Sequence, residues 1–226
     1  MTDWRPEFES RGAVFVRPPL QGAPHIDTLK SDTHSDAYFH SDYVEEDPDL
    51  MDEIGDEWAA QLVAMDLVPD RVIGHAPFAE VPAMALARGL RARGHQTLFA
   101  YARLSGQGLY VSTFPIQMGE KIVVVADDVV SGASTVKTAH DAESHGGIIL
   151  PVVPCLANLS LREALSLGPG REELPFLAAS TFEPTVYRTR EVPCDFCAVG
   201  SVALSPREGQ NWAELQSWMP RAPGTN

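Results

Sequence analysis

Lysine is nearly missing from this chain. Only Lys30, Lys121 and Lys137 occur among its 226 residues, and 17 bases in all stand against 31 acids, for a formal net charge of −14. No basic stripe is present, which argues against a nucleic-acid partner. So acidic a chain repels a phosphate polyanion. A phosphorylated ligand would have to be held locally, by backbone amides, a few bases or a metal ion. Cysteine is scarce too. Cys155, Cys194 and Cys197 are too few and too odd in number for a disulfide framework, and they suit a reducing compartment. No apolar run approaches the ~20 residues of a membrane-spanning helix. The opening residues, MTDWRPEFES, lack the apolar core of a signal peptide. The expectation is a cytoplasmic protein with neither a membrane nor a nucleic acid as partner.

What is present reads as α/β. Met51, Ile54, Trp58, Leu62 and Met65 recur at helical spacing over Asp49–Met65. From residue 70 strands and helices alternate. Arg71–Gly74 is a short apolar strand ending at glycine, and Glu80–Arg93 a helix with Pro82 in its first turn, where proline is tolerated. Gln96–Ala102 and Gly108–Phe114 read as two strands joined by a Ser-Gly-Gln-Gly turn. Lys121–Ala126 is a continuous β-branched run of the kind buried on both faces. Ser134–Ser144 reads as the next helix and Gly147–Val153 as the next strand. Such alternation implies a mostly parallel, twisted sheet flanked by helices. Beyond about residue 158 the pattern is irregular, with a short helix expected near Leu161–Leu165.

The strongest signal runs from Ile122 to Thr135. A buried strand leads into Asp127 and Asp128, then into Ser131-Gly132-Ala133-Ser134-Thr135 and a helix. Small residues at a helix start leave amide N–H groups free at the positive end of the dipole, which holds a phosphate monoester without lysine. Two carboxylates at the carboxyl end of a strand can accept hydrogen bonds from a vicinal diol. Open α/β sheets bind their ligands at that end. The plainer reading of the same turn is a capped helix, with Ser131 or Ser134 as the cap.

This string resembles the 5-phosphoribosyl-1-pyrophosphate (PRPP) signature of type I phosphoribosyltransferases. The resemblance implies that Asp127 and Asp128 contact the ribose diol and Mg²⁺, the latter through water, while Ser131–Thr135 cradle the 5-phosphate. A second stretch, Leu29-Lys30-Ser31-Asp32-Thr33-His34-Ser35-Asp36-Ala37-Tyr38-Phe39, is similar to a segment of the orotate branch. By that likeness Lys30 and Ser31 contact PRPP and Tyr38 and Phe39 line the base pocket, although either ring can equally be core. A third, Val72–Ala79, matches the family's pyrophosphate loop at Gly74 and Ala76, with His75 between them. Phe78 and Ala79 replace the usual glycines.

The cysteines form a fourth match. Cys194-Asp-Phe-Cys197-Ala-Val-Gly200 resembles a tail found in some bacterial orotate-type enzymes. The Cys-x-x-Cys spacing suits zinc, with Cys155 as a third ligand and a histidine or Asp195 as a fourth; the alternative is a set of reduced thiols packing a turn.

Two departures bear on substrate. The family's mobile loop carries an arginine and two lysines. Here Tyr101–Gly108 offers Arg103 alone. The strand ending at Val153 is followed in the orotate enzymes by Asp-Arg, whose arginine pairs with the orotate carboxylate. Here Pro154-Cys155-Leu156 takes that place.

The resemblance therefore implies a type I phosphoribosyltransferase fold with a small hood. Residues 1–65 would form the hood and base pocket, 66–158 the PRPP-binding core, and 159–226 an extension bearing the Cys-x-x-Cys. The expected activity is transfer from PRPP to a nitrogen heterocycle other than orotate, by a homodimer using Mg²⁺, with Lys30, Arg103, Asp127 and Asp128 at the reacting centre. The alternative is a catalytically silent PRPP- or nucleotide-binding regulator.

Overall fold

The computed structural model describes residues 1–28, 32–104, 110–112 and 114–219. The first elements in chain order are α1 (Arg5–Ser10), β1 (Val14–Val16), β2 (His25–Thr28), β3 (Thr33–Ser35), β4 (Ala37–Phe39), α2 (Asp42–Glu45) and α3 (Pro48–Ala64). Then come β5 (Arg71–His75), α4 (Glu80–Ala92), β6 (Leu98–Leu104), β7 (Tyr110–Ser112), β8 (Lys121–Val129), α5 (Ala133–Ser144) and β9 (Ile148–Ile149). The last are β10 (Val153–Asn158), β11 (Ala164–Ser166), β12 (Glu173–Thr181), β13 (Val186–Arg188), α6 (Asp195–Ala198), β14 (Ala203–Leu204) and α7 (Asn211–Ser217). They fall into two compact units, one of Met1–Arg5 with Val44–Thr181, the other of Pro6–Tyr43 with Phe182 onward.

The first unit is built on a sheet ordered β11-β12-β10-β8-β5-β6-β7, with β9 beside β8. The inner strands β12, β10, β8, β5 and β6 run parallel, and the edge strands β11 and β7 antiparallel. Strand β8 owes its central place to composition, since Ile122–Ala126 are all buried, as a strand covered on both faces requires. Helix α3 starts where Asp47 accepts hydrogen bonds from the amides of Asp49 and Leu50 and Pro48 occupies the first turn. Its Met51, Ile54, Trp58 and Leu62 are buried, the face that the spacing predicts.

The expected elements of residues 49–104 and 121–144 are present with small shifts at their ends, and β7 falls within the strand expected over Gly108–Phe114, while the expected turn at residues 105–108 lies outside the described residues. Three expectations beyond them are corrected. The strand expected over Gly147–Val153 is interrupted at Pro151, which has no N–H to donate; Ile148–Ile149 pairs with β8, and the long strand is β10, running on to Asn158. No helix forms at Leu161–Leu165. The Asn158 side chain ties the chain into a turn, its Oδ1 accepting from the Ser160 amide and its Nδ2 donating to the Arg162 carbonyl, and Leu161 has φ +59. An edge strand, β11, comes next. Nor is the remainder irregular: β12 is a nine-residue strand parallel to β10. Its mixed burial and Pro175 hide it from period-two counting.

In the second unit β13, β3 and β2 pair antiparallel in one sheet, β14 joins parallel to β2, and β1 pairs with β4 in a separate ribbon. Phe15, Ile26, Trp212 and Leu215 make its core. Among the described residues no helix is long and apolar enough to cross a membrane.

Strands β5 and β8 are tied at their amino ends by a buried ion pair. Arg71 Nε donates to Glu120 Oε1 at 2.8 Å, and the side chains are 7% and 5% exposed. The Glu120 Oε2 accepts from the Gln117 amide at 2.8 Å, so both carboxylate oxygens are satisfied. Removing one partner leaves the other charge buried alone. Glu120→Ala should lower the unfolding free energy by about 3–5 kcal/mol, and a combined Arg71→Met/Glu120→Leu change by clearly less. Urea titration of the wild type and both variants checks this; equal losses would show that the ion pair itself is not what matters.

Candidate functional site

The chain leaves β5 through α4 to β6 on one side and, from β8, passes through α5 to β10 on the other. The sheet order reverses between β5 and β8, and such a reversal opens a crevice at the carboxyl ends of the two strands. His75 ends β5, and Asp127 and Asp128 lie near the end of β8. The topology alone thus brings together two segments that the sequence singles out.

His75 Nε2 faces Asp127 Oδ1 at 3.3 Å, with the two side chains 6% and 7% exposed. The contact lacks formed hydrogen-bond geometry, so Asp127 Oδ1 is a buried acceptor without a donor among the described residues. Successive side chains of a strand leave on opposite faces, and accordingly Asp127 is buried while Asp128 is half-buried. Cys155 sits in the neighbouring strand β10, opposite Ala126. Complete burial, then the charges of Asp128 and Asp127, push its thiol up, which keeps it protonated.

Gly74 is required by the close return of the chain after β5. A Cβ there would lie 1.9 Å from the Ala79 carbonyl oxygen. The Ala76 amide donates to the Ala102 carbonyl at 2.7 Å, so it is engaged with β6. On the other side of the crevice α5 starts from Gly132, whose φ of +75 suits glycine and whose missing Cβ leaves room for Leu165 Cδ1. No side chain of Gly132 can cap the helix. The Ala133 amide donates to Ser131 Oγ at 3.3 Å, and the next amides of the first turn have no intrahelical acceptor. Ser131 and Ala133 are exposed, Ser134 half-buried and Thr135 buried. The N-terminus of a twelve-residue helix therefore opens beside two carboxylates.

Arg103 is exposed near the end of β6, its guanidinium over the Tyr101 ring at 5.0 Å and bonded to the Tyr101 hydroxyl at 3.2 Å. Residues 105–108 of the expected loop lie outside the described residues, as do Lys30 and Ser31. Because β10 extends to Asn158, the segment after its end is Leu159-Ser160-Leu161-Arg162, not Pro154-Cys155-Leu156. Leu159 is buried. Arg162 lines a cavity of about 430 Å³ together with Glu163 and Glu173.

In the second unit the two aromatic candidates separate. Phe39 is buried against Phe8 and Phe182, with ring centroids 5.2 and 6.3 Å away. Tyr38 is half-buried, accepts a hydrogen bond from Arg207 Nε at 3.0 Å and packs near Trp212. Arg207 also meets Asp42. Beside them His40 is ringed by Tyr38, Tyr43 and Trp212. The sequence pattern signals none of His40, Arg207 and Trp212, because their association depends on contacts between residues more than 160 positions apart.

The cysteine expectation is corrected in part. Cys194 and Cys197 do have companions that could hold a metal ion with them, but these are His25 and His34, and Cys155 is not among them. Burial, then His34 and Arg17, lower the His25 pKa to about 4, so its imidazole is neutral in ordinary buffers. The available signal is positional: the two histidines flank the Lys30 segment on adjacent strands.

No family model matches the chain. The orotate phosphoribosyltransferase of Sulfurimonas denitrificans is 30% identical over 185 residues, covering 79% of this chain and 88% of that protein. Among solved structures, the orotate phosphoribosyltransferase of Aeropyrum pernix covers 79% of this chain and 93% of its own, at a TM-score of 0.57 and 19% identity. That of Mycobacterium tuberculosis in complex with PRPP covers 64% of this chain and 80% of its own, at a TM-score of 0.52 and 17% identity.

His40 gives a pH test of the second unit. Burial, then the Arg207 charge, lower its pKa from the ordinary 6.5, while Asp42 opposes the shift. A histidine kept neutral by folding contributes fully above its unfolded pKa, and the contribution is lost as pH falls below it. The urea midpoint should drop between about pH 7 and pH 5, and His40→Phe should make that drop shallower. An unchanged slope in the variant would remove His40 as a source of acid sensitivity.

Proposed function

The chain belongs to the type I phosphoribosyltransferases, on the orotate phosphoribosyltransferase-like branch, and from that membership we propose that it transfers the 5-phosphoribosyl group of PRPP to a heterocycle other than orotate. It is a pentosyltransferase. A ring nitrogen of the base would attack ribose C1 as pyrophosphate departs, with inversion. The observation that carries the reading is the crevice between β5 and β8, where a carboxylate pair adjoins the open N-terminus of α5.

The proposed roles come from the chemistry of each group. Ser131–Thr135 hold the 5-phosphate through first-turn amides and hydroxyls. Asp128, the more accessible acid, accepts from the ribose diol, and Asp127 does so with His75 behind it. Mg²⁺ keeps several waters and one or two carboxylates about it, which the oxygen donors of Asp127 and Asp128 suit. It would neutralise the charge of the pyrophosphate as it leaves. Gly74, His75 and Ala76 form the floor on the pyrophosphate side. Lys30, Ser31, Tyr38 and Arg103 keep the contacts that the family resemblance gives them, Phe39 serves as core, and a homodimer is the proposed working unit. These residues act by positioning and by stabilising charge that develops in the transition state.

The choice of base rests on the segment after β10. The arginine that pairs with the orotate carboxylate in the resemblance has no counterpart here: Leu159 is buried and apolar, and Arg162 shares its cavity with two glutamates. A carboxylate taken into a dry site without a cation costs ~3–5 kcal/mol. That is on the order of a hundred- to several-thousand-fold in kcat/KM.

Pyrophosphate release from PRPP and Mg²⁺, measured with orotate and with neutral pyrimidines, purines and azoles, tests the reading. A neutral base should be turned over with kcat/KM at least about a hundredfold above orotate's. Efficient use of orotate would overturn the base assignment, and no release with any base would leave a PRPP-binding protein without catalysis. The acid pair has its own test: Asp127→Asn/Asp128→Asn should abolish calorimetric PRPP binding while the fold persists. Unchanged affinity would remove both acids from the ribose contact.

A further inference from the structure

We propose that His25, His34, Cys194 and Cys197 form a closed tetrahedral zinc site that staples the two ends of the second unit together. The proposal stands apart from the catalytic reading and uses none of its residues. The four ligand atoms lie within 4.8 Å of one another. His25 Nε2 is 3.0 Å from His34 Nδ1, 3.6 Å from Cys197 Sγ and 3.8 Å from Cys194 Sγ, and Cys197 Sγ is 3.4 Å from His34 Nδ1. Zinc bonds of about 2.0–2.1 Å to nitrogen and 2.3 Å to sulfur give tetrahedron edges of roughly 3.3 Å between nitrogens and 3.6 Å between nitrogen and sulfur. These four of the six spacings match those edges to within a few tenths of an ångström, and the other two lie within 4.8 Å.

Hydrogen-bond direction makes the case stronger than distance alone. Ser201 Oγ donates its single proton to the Ala23 carbonyl at 2.6 Å. It must therefore accept from His25 Nδ1, 2.8 Å away, which fixes the proton on Nδ1 and turns the Nε2 lone pair into the cluster. His34 Nε2 faces Asp27 Oδ1 at 4.0 Å. A proton on Nε2 suits that carboxylate and leaves the Nδ1 lone pair in the cluster as well. Two lone pairs 3.0 Å apart repel unless a cation lies between them. Without a metal, His34 would have to donate from Nδ1 and present the Nε2 lone pair to Asp27, the poorer arrangement. Ser201 and Asp27 are thus the outer partners that hold ligating imidazoles in the right tautomer.

The donor set selects the ion. Two sulfurs and two imidazoles suit zinc, and four protein ligands leave no open position, which marks a structural rather than a catalytic centre. His25 lies on β2, His34 on β3, and the cysteines on and just before α6. Phe196, between the cysteines, packs on the His25 ring at 5.4 Å. The site joins segments 163 to 172 residues apart in sequence and clamps the two strands that flank Lys30.

The test uses the full-length protein. Expressed with zinc and purified under reductant, it should carry about one zinc per chain by elemental analysis. Stripped with chelator and titrated with Co²⁺ alone, it should develop a thiolate-to-cobalt charge-transfer band that saturates at one equivalent and is abolished by Zn²⁺. Chelation should lower Tm, and Cys194→Ser/Cys197→Ser should lose both the zinc and the band. A wild-type protein with negligible zinc and no charge-transfer band would overturn the proposal, as would metal retained in the double variant. The cobalt arm needs no variant, so a folding failure of the mutant leaves the decision intact.

Discussion

Strands β5 and β8 pair in parallel from Arg71 opposite Ile122 to Gly74 opposite Val125. The Arg71–Glu120 ion pair ties one end of that ladder, and at the other end the chain diverges into α4 and α5. Because the two helices lead to opposite sides of the sheet order, the loops that leave the carboxyl ends of β5 and β8 diverge and open a crevice between them. His75, Asp127 and the start of α5 meet there as a consequence of register, not of any local preference. Shifting the pairing by one residue would send Asp127 to the other face of its strand and part it from His75.

The same place resolves the difficulty raised by composition. On the proposed reading, a chain of net charge −14 with three lysines must bind a polyanion. Amide N–H groups at a helix start carry no net charge, are independent of the surface total and are fixed by the backbone. Gly132 at φ +75 and the small residues after it let a phosphate approach those amides closely. On the same reading the carboxylates nearby are tolerable, because a diol and Mg²⁺ would supply donors and positive charge to them.

Much of this is legible in the sequence, and the exceptions share a cause. Helices α3 and α4 and strand β8 announce themselves through periodicity and β-branched runs, and the Asp127–Thr135 string marks the turn from β8 into α5. Strand β12 escapes the pattern because its burial alternates poorly and Pro175 lies within it. The turn after Asn158 mimics a helix in sequence because side-chain hydrogen bonding within residues 158–162 is invisible to a hydrophobic pattern. The Cys194–Cys197 pair is visible, but its companions are not. His25 and His34 become neighbours only when β2 and β3 pair with Asp27 opposite His34, and they meet the cysteines only through contacts that span most of the chain. Cys155, the remaining cysteine and so the natural third candidate, is a buried residue of the central sheet.

On the proposed reading, backbone amides hold the phosphate in place of cationic side chains. The most direct measurement is a crystal structure of the protein equilibrated with inorganic phosphate. Phosphate should lie within hydrogen-bond distance of the amides and hydroxyls of Ser131–Thr135, with no lysine or arginine among its ligands. An empty loop, or phosphate held by arginine side chains away from α5, would show that the amides are not what binds it.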